Sequence, residues 1–245
     1  MEEKNELDTR YEVLKIALQE QNLSDFRENF LELHIYEQAQ FYESLTEKER
    51  VQMYSYLSPK ELADMFDSLE EDEDALKEYL EEMRPSYAAA MLSAMYTDNA
   101  VDLLNLLGKK DTAKYLSLMS HEAAAEIKEL LHYEDETAGA IMTTEYVSIL
   151  ANQSVGSAMR YLKKEAAVAE TIYYIYVVND QNQLVGVISL RDLIVNEDET
   201  FISEIMSERV ISVHVGDDQF DVAQTFRDYD FLALPVTDYE DHLLG

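Results

Sequence analysis

The chain has 245 residues, 47% of them hydrophobic, and no cysteine, which gives cores for two domains of roughly 100–150 residues but excludes a disulfide framework and thiolate metal sites. Its 51 acidic residues face 19 Lys and Arg, for a net charge of −32, so the surface repels polyanions and attracts cations; neither nucleic acid nor direct lipid binding is expected. The excess is shared: residues 1–137 carry thirteen basic and thirty-three acidic side chains, a net −20, and the remainder six and eighteen, a net −12.

At the amino terminus Met-Glu-Glu-Lys-Asn is charged and lacks the apolar core of a signal peptide. No stretch approaches the roughly 18–20 apolar residues that cross a bilayer, and the chain is expected to be soluble. From residue 1 to 131 the pattern predicts helix after helix. Ser58-Pro59-Lys60-Glu61 opens one with a Ser cap, a Pro at the first helical position and a Glu three residues after the cap. Leu62, Met65, Phe66 and Leu69 follow as one apolar stripe. Further stripes run through Met91, Leu92 and Met95, through Val101, Leu103, Leu104 and Leu107, and through Ile127, Leu130 and Leu131. Thr97 or Asp98, Asp111 and Ser120 are the expected caps. Starts recur roughly every 12 residues, so two helices make a unit of about 24, the grammar of a right-angled helical stack or superhelix. The run Glu70-Glu71-Asp72-Glu73-Asp74 lacks the central Gly and terminal Glu of an EF-hand loop and is expected to be a solvated helix start.

From about residue 138 the pattern changes to strands. Glu170 to Asp180 is rich in β-branched and aromatic residues, and Leu184 to Leu190 is a second strand across the short Gln181-Asn182-Gln183 connection. Helices are expected at 154–164 and 190–196. This half also repeats itself. Ile141-Met142-Thr143 matches Ile205-Met206-Ser207, and Val147-Ser148-Ile149 matches Ile211-Ser212-Val213, each at an offset of 64. Val178-Asn179-Asp180 matches Val236-Thr237-Asp238, and Leu184-Val185-Gly186 matches Leu243-Leu244-Gly245, at offsets of 58 and 59. Each copy therefore reads strand, helix, strand, turn, strand, helix. The second stops at Gly245, short of its last strand and helix, as if cut from a longer chain.

A tandem headed by Ile-Met-Thr and closed by Leu-Val-Gly-Val-Ile-Ser-Leu-Arg-Asp-Leu resembles a pair of CBS domains. The run from His132 to Val147, His-Tyr-Glu-Asp-Glu-Thr-Ala-Gly-Ala-Ile-Met-Thr-Thr-Glu-Tyr-Val, resembles the junction of helical N-domain and first CBS module in MgtE-type magnesium transporters. Arg191-Asp192-Leu193-Ile194 and Asp228-Tyr229-Asp230-Phe231 fit the same family. The resemblance implies an α+β multidomain chain: an all-α right-angled superhelix over 1–131, a first CBS domain (βαββα) with its linker over 132–200, and an incomplete second over 201–245.

It also implies a cytosolic, membrane-associated regulatory region in which Mg²⁺ sits between carboxylates of the N-domain and the CBS modules and favours the closed state. The transmembrane domain belongs to the longer protein, and the chain is expected to form a homodimer through its CBS domains. The implied metal ligands are Asp98 and Asp102, four apart on one helix face, together with Asp64, Asp218 and Asp230. Phe220 stands where other members can carry a carboxylate. Mg²⁺ takes hard oxygen ligands and keeps several waters, so one or two carboxylates per ion suffice. An Asp at a helix start is equally what simple capping requires.

The alternative is an adenine-nucleotide sensor with a helical protein-docking domain. CBS pairs often take ATP or AMP, and Ser189, Arg191, Asp192 and Tyr174 occupy the corresponding cleft, though Ser189 and Asp192 would also cap the following helix. No catalytic constellation is found. His121-Glu122-Ala123-Ala124-Ala125 lacks the second His of a zinc protease, Gly108-Lys109-Lys110 lacks the P-loop, and His34, His121, His132, His214 and His242 share no ligand spacing.

Overall fold

A computed structural model describes residues 2–69, 72–166, 169 and 171–245, with side chains described from residue 7. Glu70 and Glu71 of the acidic run and Glu170 at the head of the expected strand lie outside the described residues. The chain divides into two units, one of Met1–Met95 with Asn99–Ile127, the other of Tyr96–Asp98 with Lys128–Gly245. No helix among the described residues is long and apolar enough to cross a membrane.

The first unit is helical. After α1 (Glu2–Gln19) come α2 (Leu23–Leu31), α3 (Ile35–Glu43), α4 (Glu47–Met53), α5 (Pro59–Phe66), α6 (Glu73–Glu82), α7 (Pro85–Leu92), α8 (Thr97–Asn105), α9 (Lys109–Leu116) and α10 (His121–Leu130). From α2 onward the starts are twelve residues apart, except for fourteen between α5 and α6. The punctuation is local. His34 with Glu37, Thr46 with Glu49 and Ser58 with Glu61 form three capping boxes in register, each satisfying orphan amides of a helix start. Ser120 caps α10 by accepting from the Ala123 amide at 3.2 Å, as expected. Asp111 does not cap: α9 begins two residues earlier, after Gly108, which leaves Asp111 in the first turn where its charge complements the helix dipole. Asp72 caps α6 through the Ala75 amide at 2.9 Å.

Such short helices are stable only through burial. Leu62, Met65 and Phe66 of the predicted stripe are buried. Alternate helices pack on one another, α3 on α5, α5 on α7 and α7 on α9, so the 24-residue pair is the stacking unit. Aromatic rings fill the amino-terminal layers, with Phe26, Phe30 and Phe41 fully buried. Among the described residues two close ion pairs tie distant helices, beside a longer one between Arg10 and Glu37 at 4.0 Å. Arg27 forks onto Glu61 at 2.7 and 2.9 Å and holds that carboxyl down at about 2. Arg50, almost wholly buried, is paired with Glu82.

The second unit contains η1 (Ala138–Ala140), β1 (Ser148–Leu150), α11 (Val155–Glu165), β2 (Tyr174–Val178), β3 (Leu184–Ser189), α12 (Leu190–Val195), α13 (Ile202–Ile205), β4 (Val213–His214), α14 (Gln219–Tyr229) and β5 (Val236–Thr237). Strand β2 is central, parallel to β1 and antiparallel to β3; β4 and β5 are parallel. Asn182 supplies the left-handed turn residue of the β2–β3 hairpin, at φ 62°. The segment Leu243–Gly245, expected to match Leu184–Gly186, runs antiparallel beside β5 through the Thr237–Leu243 bridge.

The offset of 64 is structural. Helix α14 is α11 displaced by 64 residues at both ends. Each module's lead-in segment pairs with the other module: Thr137 bridges Asp218, and Phe201 bridges Ser154. The amide bonds repeat accordingly. Gln219 donates to the Glu136 carbonyl as Val155 does to that of Thr200, both at 2.9 Å, and Gly139 donates to Val215 as Ser203 does to Ala151. The two modules are thus related by an approximate two-fold with swapped lead-ins.

Candidate functional site

Among the described residues no three His, Asp or Glu side chains converge on a point that can hold a metal ion. An Mg²⁺ ion held by one or two carboxylates and water needs no such cage, so each predicted ligand is taken by its own surroundings. Asp98 and Asp102 lie four residues apart on α8, on one face as expected. Asp98 is half-buried, with Oδ1 shielded from solvent. Asp102 is exposed overall, yet desolvation by its neighbours raises its carboxyl pKa above the usual value. It lies on the wall of a cavity of about 440 Å³ within the first unit, with Phe66, Asp67, Glu73, Asn99 and Leu103. There Asn99 donates to the Asp67 carboxylate at 2.9 Å. Asp64 is exposed on α5 and is not part of that wall.

In the second unit Asp218 is the N-cap of α14, accepting from the Phe220 amide at 2.8 Å. It stands 64 residues after Ser154, the N-cap of α11, so its local structural role is complete without a metal. Asp230 closes the same helix in the left-handed conformation at φ 54° and is exposed. The carboxylates at the two ends of this eleven-residue helix are held apart along its length. All five are hard-oxygen donors, the chemistry Mg²⁺ requires, with Asp98 and Asp102 the pair that one helix face brings together.

The start of α8 is built differently from its neighbours. Helices α3 and α5 are capped by the side chain of the residue before them, and Thr97 or Asp98 is the corresponding expectation here. Instead Thr97 is the first helical residue and the acceptor is Glu145, 48 residues later and in the same unit as Tyr96–Asp98. Glu145 Oε1 accepts from the Thr97 amide at 3.1 Å and from its hydroxyl at 2.6 Å. Oε2 accepts from the Thr143 hydroxyl at 2.6 Å, and the Thr144 hydroxyl donates weakly at 3.4 Å. Glu145 stands within the junction motif, but no spacing rule links it to Thr97. Only the fold reveals the pair.

A second cavity, of about 360 Å³, lies within the second unit. Tyr146, Tyr173, Tyr174, Tyr176 and Phe226 give it an aromatic wall, and among the described residues Glu145 is the one acidic side chain on it and no Lys or Arg lines it. Of the four predicted nucleotide-cleft residues Tyr174 is on this wall and Ser189, Arg191 and Asp192 are not. Ser189 and Asp192 instead form the capping box of α12: the Ser189 hydroxyl donates to Asp192 at 2.6 Å, and the Asp192 amide donates back at 3.2 Å. Arg191 is exposed.

Residues 33–136 match the MgtE intracellular N domain, and 138–198 and 202–245 match CBS domains. The chain is 69% identical over all 245 residues to the magnesium transporter MgtE of Enterococcus faecalis, of which it spans 54%. A crystal structure of the soluble part of a magnesium transporter superposes with a TM-score of 0.94 at 70% identity, covering 98% of this chain and 93% of that one. The cytosolic domain of the Mg²⁺ channel MgtE, crystallised in complex with ATP, superposes with a TM-score of 0.87 at 34% identity, covering 96% and 95%. With an MgtE N domain followed by a CBS pair, and solved soluble parts of MgtE-type proteins covered to more than nine-tenths, the chain belongs to the MgtE magnesium-transporter family.

Proposed function

We propose that this chain is the cytosolic magnesium-sensing regulatory region of a magnesium transporter, acting on a transmembrane domain elsewhere in the longer protein as part of a homodimer joined through its CBS domains. In this reading Mg²⁺ bridges carboxylates of the helical and CBS domains and favours the closed state. Asp98 and Asp102 hold the ion from the helical side, Asp64 contributes from α5, and Asp218 and Asp230 contribute from the second CBS module. When magnesium falls, the uncompensated charge of a −32 chain drives the carboxylates apart. The role is regulatory rather than catalytic. The observation that carries it is the Asp98–Asp102 face of α8, one carboxylate oxygen shielded and the neighbouring carboxyl desolvated.

The test is small-angle scattering from 0 to about 20 mM MgCl₂ at ionic strength matched with NaCl. A fall in radius of gyration specific to Mg²⁺ is expected, and it should be weakened by Asp98→Ala combined with Asp230→Ala. The same contraction with NaCl alone would reduce the effect to screening. Unchanged Mg²⁺ dependence in the double variant would reject the ligand assignment.

A second reading, compatible with the first, is favoured by the aromatic cavity and by the relative crystallised with ATP. Here the second unit takes the adenine ring of ATP or AMP against Tyr174 and its aromatic neighbours, and Ser189, Arg191 and Asp192, which lie off the cavity wall, serve ribose and phosphate only if the α12 capping box opens. Thermal stabilisation by micromolar AMP or ATP without Mg²⁺ is its signature.

A further inference from the structure

We propose that Glu145 is the positioning residue for Asp98: it fixes the first turn of α8 and so holds the Asp98 carboxylate ready for the ion. This rests on the reading of Asp98 as a magnesium ligand. It adds a residue that contacts no metal.

A helix start leaves its first amides without intrahelical partners, and at α3, α5 and α6 the preceding side chain supplies an acceptor. At α8 a distant carboxylate does so. Glu145 accepts from both the amide and the hydroxyl of Thr97, while the Thr143 hydroxyl holds its other oxygen and the Thr144 hydroxyl lies 3.2 Å from that of Thr97. Three close hydrogen bonds on a half-buried carboxylate fix its orientation. Its negative charge also sits where the α8 dipole is positive. Thr97 is buried at 5% exposure, so the turn it begins has little freedom while the bonds persist. Asp98 is the next residue, and its shielded Oδ1 is set by where that turn starts. A helix that frays by one residue loses the orientation of Asp98 first, and the i, i+4 match with Asp102 with it.

The variants Glu145→Ala, Glu145→Gln and Thr97→Val separate this role from general stabilisation. Hydrogen exchange without metal is the first measurement. In Glu145→Ala the Thr97 amide should exchange at least about tenfold faster, the consequence of losing a cap. Unchanged protection there would overturn the proposal whatever magnesium does. Magnesium titration by scattering is the second. The midpoint should rise about fivefold in Glu145→Ala, and less in Glu145→Gln, whose amide oxygen still accepts from Thr97. In an Asp98→Asn background the Glu145 substitutions should leave the remaining midpoint unmoved, because their effect passes through Asp98. A shift that persists there would reduce Glu145 to a structural residue. A wild-type chain with no specific magnesium response would sink the sensing reading itself, while the exchange result still decides whether Glu145 orders the turn.

Discussion

Arg50 is the most constrained charge in the helical unit. Its Nε donates to Glu82 at 2.9 Å and one Nη to the Leu45 carbonyl at 2.7 Å, and its guanidinium lies 4.5 Å from the centre of the Tyr79 ring. Tyr54 donates to the same carboxylate at 3.0 Å and is itself within 2.6 Å of the Tyr42 hydroxyl. Burial pushes both tyrosines far above their ordinary range, so the network keeps its protons at every accessible pH. Removing one charge strands the other, and Glu82→Gln should cost about 3–5 kcal/mol in urea denaturation. Replacing both by apolar residues of similar volume should cost far less. Asp102 behaves in the opposite way. Its carboxyl is raised by desolvation, so the folded chain favours the neutral form. A raised folded pKa means that stability from this group is present at low pH and lost as pH rises through the raised value. Without magnesium, Asp102→Asn should therefore raise the Tm at neutral pH, and the gain should vanish on acidification through the carboxylate range. On the proposed ligand role of Asp102 a proton competes with the ion, and the proposed magnesium response of the wild-type chain should weaken over that same interval.

Among the elements, the helix starts divide by where their cap comes from. Those of α3 and α5 are legible because the acceptor precedes the helix and the Glu follows three residues later, which is local geometry. The start of α9 departs from the Asp111 cap that the sequence predicts, since Gly108 takes the cap position without a side chain and Asp111 serves the dipole instead. The start of α8 was out of reach, its acceptor lying 48 residues away. The short η1 element shows the same division. Gly139 stands where a Cβ would lie 2.7 Å from both Tyr133 Cγ and Val215 Cγ2. Ring and methyl are both held by neighbours, so Gly139→Ala should destabilise the second unit by about 1–3 kcal/mol in thermal or urea denaturation. Its double in the repeat is Ser203, which makes the equivalent amide bond, so the amide position repeats while the room for a side chain does not.

Over the whole chain, two periods set the architecture. A period of twelve spaces the helices, and a period of 64 maps α11 onto α14 and one lead-in bridge onto the other. Both are written in the sequence, because each repeat solves the same local problem with the same residue types: a cap, an apolar stripe, a β-branched strand. The sequence alone thus determined the order of helices and strands, the repeat, the resemblance to the family and the acidic character that points to a cation. Asp98 and Asp102 were also legible as a pair, since i, i+4 spacing needs only a helix. Tertiary structure decided the rest. It placed Tyr174 on a cavity wall while Ser189 and Asp192 closed on each other, assigned Asp218 to a cap, and brought Glu145 to Thr97. Capping and periodicity are settled within one or two turns of backbone. Which carboxylate meets which donor depends on chain segments tens of residues apart, whose approach is fixed only when their apolar faces are buried.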